Sequence, residues 1–131
     1  MANILLVDDS KTITTKVTGL LEEEGHHVCV AHDGLQALNA LYRYPDIDLL
    51  LLDVRLPHVD GFQLCRVIRT SSPCPTLPII MLSGVKSNLA VRHALSLGAN
   101  AYLAKPFEKK QLLEVINQQL EQSIGRTIEH T

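Results

Sequence analysis

The sequence predicts an α/β fold, a doubly wound parallel sheet assembled from five successive βα units. Two observations carry this. Five short apolar runs recur along the chain, and each is followed by a segment whose apolar residues fall at helical spacing. A third is size, since 131 residues suit one domain able to bury a single substantial core.

The runs cover residues 4–7, 28–31, 49–52, 77–82 (interrupted by Pro78) and 101–104. They lack alternation, as expected of strands buried on both faces of a parallel sheet. In the first helical segment Ile13, Val17, Leu20 and Leu21 share one face and Gly25 stops the helix. Ala37, Leu38 and Leu41 mark the second, and Gly61, Leu64, Cys65 and Ile68 the third. Leu89, Ala90, Ala94 and Leu97 form a weaker fourth stripe, ended by Gly98. Leu112, Leu113, Ile116 and Leu120 line the fifth, which Pro106 precedes. Residues 1–121 therefore read as one domain. The polar segment 122–131 reads as a frayed tail or the start of a linker.

Charge and composition narrow the function classes. A formal charge of −2, with Lys and Arg scattered, argues against direct nucleic-acid binding by this chain. Cys29, Cys65 and Cys74 lack metal-ligand spacing and read as reduced thiols. The six histidines, His26-His27 included, show no ligand spacing and read as surface or turn residues. The opening Met1-Ala2-Asn3-Ile4-Leu5-Leu6-Val7 is too short for the apolar region of a signal peptide. No apolar stretch approaches the roughly 20 residues that span a bilayer. A cytoplasmic domain without membrane association is the expectation.

The informative feature is how the strands end. The first run leads into Asp8-Asp9, the third into Asp53, the fourth into Ser83 and the fifth into Lys105. Open α/β sheets bind ligands outside the carboxyl ends of their strands. Three carboxylates, a hydroxyl and an ammonium thus converge on one edge, a set suited to phosphoryl transfer onto a carboxylate. Clustered carboxylates call for a hard divalent cation with oxygen ligands, Mg²⁺ first and Mn²⁺ as the alternative. With that cation and Lys105, a phosphorylated site carries a charge of about −1; without them it carries about −4. Capping of the first helix explains one acid after the first strand but not two. Asp60-Gly61 reads as a turn into the third helix.

In order along the chain stand Val7-Asp8-Asp9, Asp53-Val54-Arg55-Leu56-Pro57-His58-Val59-Asp60-Gly61, Ser83-Gly84, and residues 98–107 with Lys105-Pro106-Phe107. Together these motifs resemble the receiver domains of two-component response regulators, the single-domain chemotaxis regulator being the best-known member, over residues 3–120. The resemblance implies a flavodoxin-like sheet of order 2-1-3-4-5. It implies that Asp53 accepts phosphate from a sensor histidine kinase or histidine phosphotransfer protein. Asp8, Asp9, Asp53 and the backbone carbonyl of Arg55 would hold Mg²⁺, and Ser83 and Lys105 would contact phosphoryl oxygens. The Lys105–Pro106 peptide would be cis. Ser83 and Tyr102 would switch the surface of the fourth helix, fifth strand and fifth helix, where a downstream protein or output domain docks. On this reading the chain is a signalling domain, not an enzyme with turnover.

Some positions depart from the family pattern. Val85, two residues after Ser83, cannot orient a hydrolytic water, which implies slow loss of phosphate. Asn100-Ala101 lacks the acids that support the symmetric dimer of the winged-helix transcriptional subgroup, which argues against that dimer here. A Mg²⁺-dependent phosphohydrolase would need a second carboxylate where Arg55 stands. A flavin or nucleotide binder would need a phosphate-welcoming loop where Asp8-Asp9-Ser10-Lys11 is acidic. The remaining alternative is a receiver-like interaction module that is never phosphorylated.

Overall fold

Strands and helices alternate five times in the computed structural model, which describes residues 1–129, with side chains through residue 123. The elements are β1 (Asn3–Val7), α1 (Lys11–Glu23), β2 (His27–Ala31), α2 (Gly34–Arg43) and β3 (Leu49–Asp53). After them come α3 (Gly61–Ser71), β4 (Ile79–Ser83), α4 (Asn88–Ser96), β5 (Ala101–Ala104) and α5 (Lys109–Glu129). All pairings are parallel and the order is β2-β1-β3-β4-β5, as expected from the sequence.

Successive strand residues point to opposite faces, and here both faces are covered. Leu5, Val7, Leu50, Leu52, Ile79 and Met81 meet Ala37, Leu41, Leu64, Ile68 and Ala94 from α2, α3 and α4. Ile4, Leu6, Leu49, Leu51, Ile80 and Leu82 meet Val17, Leu21, Leu112 and Ile116 from α1 and α5. Each fully buried Leu or Ile contributes about 2 kcal/mol by removal from water. Helix starts are defined by side chains: Ser10, Asp33, Asp60 and Ser87 each accept a backbone N–H from the first turn of the helix that follows.

Three expectations are corrected. β4 begins at Ile79, because Pro78 has no N–H to pair; its carbonyl accepts the Leu50 N–H at 2.9 Å. β2 is an edge strand and is only partly covered, with Val30 exposed. Leu89 is 78% exposed and Ala94 is the buried residue of α4, because a hollow of about 500 Å³ separates the first turn of α4 from Phe62 and Tyr102. The helix α5 runs through Glu129 and so takes in most of the segment 122–131. The last two residues of that segment, 130 and 131, lie outside the described residues.

At the opposite end of the sheet from the strand-end carboxylates, the Ala2 N–H donates to His26 Nδ1 at 3.1 Å. Burial pushes the His26 pKa below the ordinary 6.5, the positive N-terminus adds to this, and Glu24 opposes it. The folded state thus holds the neutral ring. Stability from this contact is complete above pH 6.5 and is lost as pH falls through the lowered folded value. His26→Gln should flatten the decline in melting temperature between pH 6.5 and about pH 5, an effect of about 1 kcal/mol or less. Thermal melts of the two proteins across that range check it.

Candidate functional site

The chain leaves β1 for β2 on one side and reaches β3 on the other, so the strand order reverses between β1 and β3. Asp8 follows the last residue of β1, and Asp53 is the last residue of β3. Ser83 ends β4, and Lys105 directly follows β5. The sheet register pairs Val7 with Leu52, Asp53 with Leu82, and Ser83 with Ala104. All the sequence-nominated side chains of the site therefore meet at one edge.

Asp8 is 1% exposed and Asp53 6%, while Asp9 is exposed. Carboxylate oxygens of Asp8, Asp9 and Asp53 all lie within 4.8 Å of one another. Lys105 Nζ reaches Asp8 Oδ2 at 3.0 Å and Asp53 Oδ1 at 3.2 Å. Burial raises the Asp53 pKa above the ordinary carboxylate value and the Asp8 charge adds to it, with Lys105 and the Arg55 N–H opposing. For Lys105, burial works against the ammonium. The hydrogen bond to Asp8 and the charges of Asp53 and Asp8 outweigh it, holding the lysine above its usual range. Two buried carboxylates bridged by one ammonium leave an excess of negative charge. Oxygen-only ligands, one exposed and two buried, fit a hard divalent cation that keeps part of its water shell.

The loops around these residues are tied together through the backbone. Val54 N–H donates to Leu82 O at 3.0 Å and Lys105 N–H to Ser83 O at 2.7 Å. Arg55 N–H donates to Asp53 Oδ1 at 3.4 Å. Ser83 Oγ accepts the Val85 N–H at 3.1 Å, which leaves its own hydrogen free to be donated into the site. Tyr102 Oη donates to the Val85 carbonyl at 2.5 Å, so both nominated switch residues are bonded to Val85. The Lys105–Pro106 peptide is cis.

Two contributors were not identified in the sequence. Gly61 N–H donates to Val54 O at 2.7 Å, and a Cβ on Gly61 would lie 2.4 Å from the Asp53 carbonyl oxygen. Gly61 lets α3 start against the backbone that carries Asp53, a role hidden behind its reading as a turn glycine. His32, read as a surface residue, places Nδ1 3.0 Å from the Asp8 carbonyl oxygen. No spacing rule links residues 24 apart that follow neighbouring strands, so only the sheet register brings them together.

The family model for the response regulator receiver domain matches residues 4–117. The transcriptional regulatory protein CpxR of Escherichia coli K12 is 43% identical over 123 residues, covering 94% of this chain and 51% of CpxR. The chain spans about half the length of the curated relatives it matches. Among solved structures, Vibrio cholerae chemotaxis protein CheY4 superposes with a TM-score of 0.84 at 32% identity, covering 90% of this chain and 98% of CheY4. The receiver domain of sensor histidine kinase PA1611 from Pseudomonas aeruginosa PAO1 gives 0.83 at 32% identity, covering 92% and 98%. That structure has a magnesium ion coordinated in its active site cleft. Among the described residues of the present chain, no helix is long and apolar enough to cross a membrane. A family match over residues 4–117, on a five-stranded parallel sheet of order β2-β1-β3-β4-β5, means that the chain belongs to the response regulator receiver domain family.

Proposed function

We propose that this receiver accepts a phosphoryl group on Asp53 from a phosphohistidine of a sensor kinase or phosphotransfer protein. The observation that carries the reading is the Asp53 carboxylate itself, buried, set among acids and bonded at 3.2 Å to Lys105. An Asp53 oxygen attacks phosphorus, a P–O bond forms and the P–N bond breaks. The electron pair returns to the imidazole nitrogen, which takes up a proton from solvent. Lys105 moves from neutralising the nucleophile to neutralising the phosphoryl oxygens, and Ser83 donates its hydroxyl to one of them. Asp8, Asp9, Asp53 and the Arg55 carbonyl would hold Mg²⁺, or Mn²⁺, which supplies positive charge at the transferring group.

The signal leaves through Val85. Movement of Ser83 towards the new phosphoryl group carries the Val85 peptide with it, and so the hydrogen bond that holds Tyr102. That coupling reaches the surface of α4, β5 and α5, where a downstream protein or output domain docks. The domain works in the cytoplasm as a signalling element, and the chemistry is a single transfer to its own side chain without turnover.

Incubation with a small phosphodonor and Mg²⁺, read by intact-protein mass spectrometry, tests this. Wild type gains the mass of one phosphoryl group and Asp53→Ala gains none. An equal gain on the variant moves the acceptor elsewhere, and no gain on wild type leaves the chain a phosphorylation-independent interaction module.

A further inference from the structure

The Asp8-Asp9 pair is only useful to a cation if both carboxylates are aimed at the same point, and its backbone is gripped from β2. Asp8 N–H donates to the Ala31 carbonyl at 3.1 Å. The next residue, His32, brings Nδ1 to within 3.0 Å of the Asp8 carbonyl oxygen, the oxygen of the Asp8–Asp9 peptide. A carbonyl oxygen only accepts, so Nδ1 carries the hydrogen and donates.

His32 is itself held. Its N–H donates to Gln36 Oε1 at 2.8 Å, while Gln36 N–H donates to Asp33 Oδ1 at 2.8 Å, so the start of α2 fixes the turn from which the ring projects. The ring is partly buried and bears on the one peptide whose rotation would swing Asp9 away from Asp8. Asp8 is additionally restrained by its Oδ1, which accepts the Ser10 N–H at 2.9 Å. Asp9 is exposed, and its direction is set by the peptide that precedes it.

We infer that His32 is a positioning residue for the divalent cation site, orienting the Asp8–Asp9 peptide from the turn between β2 and α2. The inference rests on the reading of Asp8, Asp9 and Asp53 as the cation ligands. It assigns β2 and the start of α2 a part in cation affinity although neither supplies a ligand. Groups that orient metal ligands typically change affinity by about 10- to 100-fold when removed.

Calorimetric titration with Mg²⁺ on the full chain, without phosphodonor, tests it. His32→Leu keeps the bulk and removes the donor, and should weaken Mg²⁺ binding about tenfold. His32→Asn places an amide N–H where Nδ1–H was and should bind within about twofold of wild type. Asp9→Asn tests the underlying site separately and should bind far more weakly than any of these. Equal affinity of His32→Leu and wild type overturns the role of His32 while leaving the cation site standing. A loss in His32→Leu that His32→Asn fails to restore assigns the effect to packing and also overturns it. Wild-type binding unaffected by Asp9→Asn, or no wild-type binding at all, brings down the cation site and this inference with it.

Discussion

Lys105→Met should slow phosphorylation by a small donor about a hundredfold, the loss expected when one charged contact to transferring oxygens is removed. The same change removes the only positive side chain bonded to both Asp8 and Asp53 among the described residues. Two buried carboxylates then face each other unneutralised, costing about 3 kcal/mol of stability at neutral pH without Mg²⁺. The pH dependence has a definite sign. The folded pKa of Asp53 already lies above 3.8, with Lys105 among the groups that restrain it. Without Lys105 it rises further, so the folded state takes up a proton at higher pH than the unfolded chain does. The deficit relative to wild type should therefore shrink on acidification from pH 7 to about pH 5. It should also shrink on adding Mg²⁺. Melting curves of both proteins at the two pH values, with and without Mg²⁺, decide it; a deficit that widens on acidification contradicts this account.

Gly61→Ala should destabilise the domain by about 3 kcal/mol, the upper range for forced overpacking. A Cβ there would sit 2.4 Å from Asp53 O and 2.8 Å from Val54 Cα. Both are backbone atoms, so no rotamer change relieves the clash and either β3 or the start of α3 must move. Because the displaced atoms belong to Asp53 and its neighbour, phosphorylation should slow along with the loss of stability. Gly19→Ala is the matched control. Gly19 lies within α1, and its Cβ would meet nothing within 4 Å. Replacing it should stabilise the helix by about 0.5–1 kcal/mol with phosphorylation unchanged. Denaturant titrations of the three proteins measure the difference; a neutral Gly61→Ala would mean that the β3–α3 junction yields easily.

Much of the site was legible because a buried parallel strand is a continuous apolar run, and a polar residue ending such a run stands out. Asp8, Asp9, Asp53, Ser83 and Lys105 were visible on that ground, and the strand ends do bring them together. The start of the first helix was less legible, since Ser10, and neither acid, caps α1 through its side chain. Leu89 misled because helical spacing reports only which residues share a face. Whether a neighbour covers that face depends on how the helix is mounted, and α4 stands off from Phe62 and Tyr102 at its first turn. Asn100 illustrates the same limit. In sequence it marks a missing acid; in the fold its Oδ1 accepts the Ile79 N–H at 2.9 Å and Arg69 Nη2 at 2.8 Å, joining α3, β4 and the approach to β5.

By itself, then, the sequence determined the βα alternation, the parallel sheet and the five polar side chains at its carboxyl edge. These follow from local periodicity and from where each run stops. Tertiary structure alone decided the bridging of Asp8 and Asp53 by Lys105, the close approach of Gly61 to the Asp53 backbone and the grip of His32 on the Asp8–Asp9 peptide. Each joins residues on different elements. Such contacts depend on the register and spacing of packed strands and helices, which no single segment encodes.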